Sequence, residues 1–159
     1  MQETKPLLRD IPAEKPIKPK TDILPSEKLA LPQNKLATIL AVDDDPDICA
    51  IIQKYFGCNG YNCVCAADGR KGLEAYKAAF EAGSAPDIII SDWDMPEMGG
   101  DEMFKEIIKI NPKAKIIFLT RAPPEERDSL EALNPLAIFG KPFDPRTVEA
   151  TIQNALTKE

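Results

Sequence analysis

The sequence predicts an α/β fold in which five parallel strands form one doubly wound sheet with five helices, preceded by a proline-rich extended tail. From Leu36 onward, short apolar runs alternate with amphipathic stretches of helical length, which is typical of repeated strand–helix units. Residues 1–35 have no such period and contain six of the 15 prolines and none of the eight glycines. We therefore expect a flexible tail or linker over residues 1–35 and one folded domain over residues 36–159.

Five apolar runs predict the strands of the sheet. Their residues are mostly β-branched, aliphatic or aromatic, which favours extended backbone. The predicted strands are Ala37–Val42, Asn62–Ala66, Asp87–Ser91, Lys115–Thr120 and Ala137–Gly140.

Apolar residues spaced three and four apart predict a helix after each strand. The stripes are Ile48, Ile51, Ile52 and Tyr55; Leu73, Tyr76 and Phe80; Met103, Phe104, Ile107 and Ile108; Leu130 and Leu133; and Val148, Ile152 and Leu156. Helix starts are indicated by Asp45-Pro46, Pro123-Pro124 and Asp144-Pro145. Because right-handed crossovers place helices on both sides of a parallel sheet, both faces should be covered.

Composition limits the cellular setting and the class of partner. No apolar run approaches the roughly 18 residues that span a bilayer, and polar residues follow Met1 where a signal peptide would be apolar. We expect a cytoplasmic protein without membrane insertion. Residues 37–159 carry 13 basic against 21 acidic groups, so binding to nucleic acid by charge is disfavoured. The four cysteines contain no C-x-x-C pair and are interpreted as buried structural thiols, with a redox or metal role as the alternative.

Charged residues follow three of the predicted strands, and a fourth strand ends in a threonine. The first strand runs into Asp43-Asp44-Asp45, the third into Asp92, the fourth ends at Thr120, and the fifth runs into Lys141. The carboxyl ends of parallel strands share one edge of the sheet, so these side chains should meet. Crowded carboxylates repel one another unless a cation lies between them, and a site of oxygen ligands without histidine points to Mg²⁺.

Four motifs in this order carry a family resemblance. They are ILAVDDDPD at the first strand, IIISDWDMPEMGG at the third, IIFLT at the fourth and GKPF at the fifth. Together they resemble the receiver domain of two-component response regulators, a chemotaxis-regulator-like domain with a flavodoxin-like fold. The resemblance covers residues 36 to 157. It implies a domain that accepts a phosphoryl group on an aspartate.

The resemblance implies a role for each matching residue. Asp92 would be the phosphoryl acceptor, Thr120 would donate its hydroxyl to the phosphoryl group, and Lys141 would pair with it. Such roles suit phosphoryl transfer, which depends on positioning and charge neutralisation.

The same resemblance implies a Mg²⁺ site. Asp44 would bind the ion directly, Asp43 mostly through water, Asp92 through its carboxylate and Asp94 through its backbone carbonyl. The chain departs from the family pattern at Gly99, Arg121 and Ile138; of these, Arg121 bears on access to the phosphoryl group.

A signalling module is the function that the resemblance implies. A histidine kinase or histidine phosphotransfer protein would donate the phosphoryl group, and a protein-binding face would pass the signal to a downstream protein target. We expect a single-domain module rather than an enzyme, with autophosphorylation from a phosphodonor and slow self-dephosphorylation as its only reactions; the receiver of a larger signalling protein is the alternative.

Two other functions fit part of the pattern. A haloacid-dehalogenase-type phosphohydrolase also uses a D-x-D motif such as Asp92 and Asp94, but there the motif usually ends the first strand. A pseudo-receiver would bind partners without phosphorylation, and it would be expected to lack some of the acids, the threonine or the lysine.

Overall fold

The computed structural model describes residues 37–158, which contain one sheet of five parallel strands. The strands are β1 Thr38–Val42, β2 Asn62–Ala66, β3 Ile88–Asp92, β4 Ile116–Thr120 and β5 Ala137–Gly140. Their order across the sheet is β2-β1-β3-β4-β5. The order reverses direction at β1, as in a doubly wound sheet, and the predicted fold class is confirmed. The predicted tail lies outside the described residues and stays a prediction.

Four α-helices and a short 3₁₀ helix connect the described strands, and a fifth α-helix follows β5. They are α1 Pro46–Cys58, α2 Gly69–Glu81, α3 Gly100–Ile110, the 3₁₀ turn Pro124–Glu126, α4 Asp128–Glu131 and α5 Pro145–Thr157. The predicted starts of α1 and α5 are confirmed, because Asp45 and Asp144 are the N-caps and accept hydrogen bonds from the backbone N–H groups of Asp47 and Arg146.

Alternation along the strands divides the core into two layers. On one face of the sheet, Leu40 and Val42 pack with α2 and α3 residues such as Tyr76 and Met103. On the other face, Ile39 and Ala41 pack with α1 and α5. The central strands β3 and β4 are buried along their whole length, as strands covered on both faces must be.

Two residues of the predicted helical stripes do not belong to the core. Ile51 is 48% exposed, because the adjacent Ile52 and Phe56 fill the inner face of α1 and each helical residue turns by about 100°. Phe80 is 38% exposed at the last turn of α2, where its ring stacks on Tyr76 with centroids 6.5 Å apart. Both helices were predicted correctly, but Ile51 lies beside the buried face of α1, and Phe80 lies on the face of Tyr76 at the exposed end of α2.

The fourth helix differs from the prediction. The Pro123-Pro124 signal begins the 3₁₀ turn, and the α-helix proper is a single turn that ends before Leu133. Asn134 has a positive φ of 54°, a conformation that ends helices, and the following Pro135 cannot continue one. Leu133 is half-buried in the turn rather than in a helix.

The cysteine interpretation is wrong for one thiol. Cys58 is exposed at the end of α1, whereas Cys49, Cys63 and Cys65 are half-buried, and all four are free. Burial raises the pKa of Cys49 to about 12 and that of Cys63 to about 11. These two thiols are therefore neutral at physiological pH, as structural thiols are.

The helices of residues 37–158 are too short or too polar to cross a bilayer.

Replacement of Gly100 by alanine should destabilise the fold. A Cβ at this first residue of α3 would overlap the carbonyl oxygen of Asp92 and lie 2.7 Å from Ser91 Oγ. We expect Gly100→Ala to lower the free energy of unfolding by about 1–3 kcal/mol, measured by urea denaturation. Gly57→Ala is the matched control, since a Cβ at Gly57 meets nothing within 4 Å and should stabilise α1 slightly. Equal effects of the two changes would contradict this close contact.

Candidate functional site

Side chains from four strands converge at the carboxyl edge of the sheet. β3 lies between β1 and β4, with Val42 beside Ser91 and Asp92 beside Leu119, and Thr120 of β4 lies beside Gly140 of β5. Residues that directly follow β1 and β5 therefore lie close to the end of β3. The structure thus brings together most of the residues that the sequence singled out.

Three carboxylates form an acidic cluster at this edge. Asp43, Asp44 and Asp92 each offer an oxygen, and these oxygens all lie within 4.8 Å of one another. Asp43 is 2% exposed and Asp92 is 7% exposed, whereas Asp44 faces solvent. The cluster is therefore open on the side of Asp44 and closed on the side of Asp43.

Lys141 neutralises part of this charge. Its Nζ lies 2.8 Å from Asp43 Oδ2 and 3.4 Å from Asp92 Oδ1, and its side chain is only 6% exposed. The other oxygen of Asp43 accepts a hydrogen bond of 2.9 Å from the backbone N–H of Asp45. Asp43 is thus held by two partners, and Lys141 lies nearer to Asp43 than to Asp92.

Of the two buried carboxylates in the cluster, Asp92 has the weaker partner, because Lys141 is its only ion pair among residues 37–158 and lies farther from it than from Asp43. Burial raises the pKa of Asp92 to about 6; Lys141 acts to lower this pKa, and the charges of Asp43 and Asp44 act to raise it. A cation added to the cluster would favour the ionised form of Asp92. The ionised form of Asp92 would therefore be stabilised by a cation bound at this site.

Asp92 opens into a cavity of about 760 Å³. Thr120, Arg121 and Lys141 line the cavity on one side, and exposed Asp94 lines it beside Asp92. The Thr120 hydroxyl oxygen accepts a hydrogen bond of 3.0 Å from the N–H of Ala122. Since the oxygen serves as acceptor in that bond, the hydroxyl proton is free to be donated.

The acidic cluster fits a hard divalent cation. Three carboxylates from two strand ends supply oxygen ligands, and Mg²⁺ prefers oxygen and takes few protein ligands. The backbone carbonyl of Asp94, next along the cavity, is the further predicted ligand.

Two contributors were missed at the level of sequence. Ser91 is fully buried and donates from its hydroxyl to the carbonyl oxygen of Asp92 at 2.8 Å, which fixes the backbone at Asp92. Arg127 donates two hydrogen bonds to the carbonyl oxygen of Ala122. In the sequence, Arg127 stands among acidic residues after two prolines. That pattern has many other causes, so it does not indicate a contact with the loop after β4.

The geometry defines a doubly wound α/β domain with an acidic cluster and a buried lysine side chain at one edge of its sheet, and comparison with known proteins identifies the family. Residues 39–153 match the family model of the response regulator receiver domain. The chain belongs to the response regulator receiver domain family.

Individual relatives agree with this assignment. The response regulator SaeR of Staphylococcus aureus is 33% identical over 122 residues, which are 76% of this chain and 50% of SaeR. The chain therefore spans about half the length of the curated relatives that it matches. Among solved structures, the chemotaxis protein CheY4 of Vibrio cholerae is 32% identical with a TM-score of 0.67, covering 76% of this chain and 98% of CheY4.

A second solved structure is that of the response regulator TrrA of Thermotoga maritima in complex with Mg²⁺ and beryllium fluoride. It is 28% identical with a TM-score of 0.63, covering 75% of this chain and 98% of TrrA. These matches do not support a phosphohydrolase or a pseudo-receiver. Receiver domains are signalling modules of two-component systems that interact with kinases and downstream targets.

Proposed function

We propose that this chain is the Mg²⁺-dependent phosphoryl acceptor of a two-component pathway and that Asp92 carries the phosphoryl group. The observation that supports this most is the position of Asp92, whose carboxylate lies between a buried lysine and two acidic neighbours and opens into a cavity. Among residues 37–158, Asp92 is the only carboxylate that belongs to the acidic cluster and also lines the cavity shared with Thr120 and Lys141.

Asp92 acts as the nucleophile in this proposal. A carboxylate oxygen of Asp92 forms the new bond to phosphorus while the bond from phosphorus to the donor nitrogen of a phosphohistidine breaks. The electron pair of the broken bond stays on that nitrogen. A histidine kinase or a histidine phosphotransfer protein supplies this donor.

In this proposal Mg²⁺ is held by the carboxylates of Asp43, Asp44 and Asp92 and by the backbone carbonyl of Asp94. Asp44 binds the ion directly, and Asp43 binds it mostly through water. When bound, the ion neutralises the charge of the acids and of the incoming phosphoryl oxygens. The cluster geometry supports this assignment, as does the Mg²⁺ and beryllium fluoride bound by the related TrrA structure.

Lys141 and Thr120 bind the phosphoryl group after transfer. Lys141 Nζ already lies 3.4 Å from Asp92 and would pair with a phosphoryl oxygen. Thr120 lines the same cavity and has a hydroxyl proton to donate. Movement of these two groups toward the phosphoryl group changes the conformation of the loops after β4 and β5. This conformational change alters a protein-binding face that a downstream protein target recognises.

The cellular setting follows from this role. The domain is cytoplasmic, where kinases of these pathways present their phosphohistidine, and it binds neither nucleic acid nor membrane directly. It is not an enzyme; its reactions are autophosphorylation from a phosphodonor and slow self-dephosphorylation.

Chemical phosphorylation tests this function. With Mg²⁺ and acetyl phosphate, the chain should incorporate one phosphoryl group, detected by intact mass and lost on mild base treatment, as acyl phosphates are. Chelation of Mg²⁺ should prevent incorporation. A phosphoryl group that survives base, or incorporation that is equal with and without Mg²⁺, would show that the acceptor is not a metal-assisted aspartate.

A further inference from the structure

The loop after β4 is held by an arginine that has no acidic partner among the described residues. Arg127 Nε and Nη2 lie 2.9 and 2.7 Å from the carbonyl oxygen of Ala122, and both groups donate to it. The guanidinium is half-buried, and its contacts within residues 37–158 include no ion pair. A buried arginine is usually paired with a carboxylate. An arginine that instead donates both hydrogen bonds to one backbone carbonyl oxygen indicates a specific local role.

Ala122 joins this arginine to the site. Its carbonyl accepts from Arg127, and its N–H donates to Thr120 Oγ1 at 3.0 Å. The position of the Ala122 peptide groups therefore sets the direction in which the Thr120 hydroxyl can donate. Few apolar contacts hold the rest of the loop, since residues 123–126 are all exposed.

Arg127 also contacts the strand that carries the lysine of the site. A Cβ placed on Gly140 would lie 3.2 Å from Arg127 Nη2, so the guanidinium packs against this glycine. The next residue, Lys141, donates its backbone N–H to the carbonyl oxygen of Thr120 at 2.8 Å. The arginine thus lies at the junction of the β4 and β5 ends.

We infer that Arg127 is a positioning residue, which holds the Ala122 carbonyl so that the Thr120 hydroxyl points to a phosphoryl group on Asp92. The inference rests on the proposed function. Arg127 does not line the cavity and does not touch the acidic cluster, so its effect reaches the phosphoryl group only through Thr120. Without the arginine, the loop samples positions in which the Thr120 hydroxyl is turned away.

Binding of beryllium fluoride in the presence of saturating Mg²⁺ tests this inference, with Trp93 emission as the readout. We expect Arg127→Met to weaken the apparent affinity for beryllium fluoride about 3- to 10-fold, the size of effect that coupled neighbours show. Arg127→Lys keeps one donor and should recover part of the loss. The affinity for Mg²⁺ alone should stay unchanged in both variants, because Arg127 forms no ion pair or hydrogen bond with the carboxylates of the cluster.

A double mutant separates positioning from general stability. In a Thr120→Val chain, which has no hydroxyl to orient, adding Arg127→Met should cause no further loss of beryllium fluoride affinity. Arg146→Met is the matched control, since that exposed guanidinium pairs with Asp144, the N-cap of α5, and its loss should leave the affinity for beryllium fluoride unchanged. If Arg127→Met does not fold, as judged by circular dichroism, the inference is tested by comparing the beryllium fluoride affinity of Arg127→Lys with that of the wild-type chain.

The possible outcomes are distinct. Wild-type affinity in the arginine variants, or an equal loss in the Thr120→Val background, overturns the positioning role while the proposed function stands. A wild-type chain that does not respond to beryllium fluoride overturns the proposed function and this inference with it.

Discussion

Asp92→Asn is expected to incorporate no phosphoryl group from acetyl phosphate under conditions in which the wild-type chain is fully labelled. The amide keeps the shape of the side chain but lacks the nucleophilic carboxylate oxygen, and the neighbouring acids are poorly placed to replace it. Asp43 is held by Lys141 and the N–H of Asp45, and Asp44 faces solvent. Intact mass after exposure to acetyl phosphate and Mg²⁺ measures the difference directly.

A matched variant controls for the removal of negative charge. Asp94→Asn changes a neighbouring acid but leaves the backbone carbonyl that we assign to the metal, so it should still be labelled. Labelling of Asp92→Asn to the wild-type extent would move the acceptor to another residue.

Asp92→Asn should also be more stable than the wild type when Mg²⁺ is absent. Because burial raises the pKa of Asp92 to about 6 in the folded chain, the folded state binds a proton that the unfolded state releases near pH 4. Ionised Asp92 therefore costs stability; the cost grows as the pH rises from about 4 to about 6 and is complete above that range. Asparagine removes the cost.

We expect Asp92→Asn to raise the free energy of unfolding at pH 7 by about 1–3 kcal/mol in the presence of a chelator. Near pH 4 the gain should vanish, because Asp92 is then neutral in the folded wild type. Urea denaturation at both pH values measures the two differences. A gain that is the same at pH 4 and pH 7 would mean that repacking, rather than the charge of Asp92, is responsible.

The sheet and the edge that carries the site were predictable because each depends on a short-range pattern. A continuous apolar run such as Ile88-Ile89-Ile90 can be buried on both faces only as a central strand, and parallel strands bring their carboxyl ends to one edge. The place of Asp92 at that edge therefore follows from its place in the sequence.

The details that could not be predicted from the sequence depend on contacts between distant residues. The inner face of α1 is decided by which side chains fill the space beside β1, so Ile51 and Ile52 could not be distinguished by their apolar character. The contact of Lys141 with Asp43 joins residues 98 positions apart, and it is specified by the packing of β5 beside β4. Arg127 has no pattern of its own, because its partner is a backbone carbonyl and any residue type can supply one.

Millimolar Mg²⁺ should stabilise the wild-type chain and change the emission of Trp93. This residue is the only tryptophan, is bonded to Asp92 and lines the same cavity, so its emission reports on the site. A ligand that binds only the folded state stabilises it by mass action, and a ten-fold excess over the dissociation constant gives about 1.4 kcal/mol, or about 3–6 °C in Tm. The relief of repulsion among Asp43, Asp44 and Asp92 is the physical source of this binding.

Asp44→Ala should remove both responses to Mg²⁺, since Asp44 is the exposed member of the cluster through which an ion would enter and bind directly. Asp47→Ala is the control, because it deletes an exposed acid of the same helix start that lies outside the cluster. Both responses should persist in the control. If Asp44→Ala responds to Mg²⁺ as the wild type does, the ion binds elsewhere; if the wild type responds in neither Tm nor emission, the acidic cluster is not a metal site and Mg²⁺-dependent phosphorylation at Asp92 fails with it.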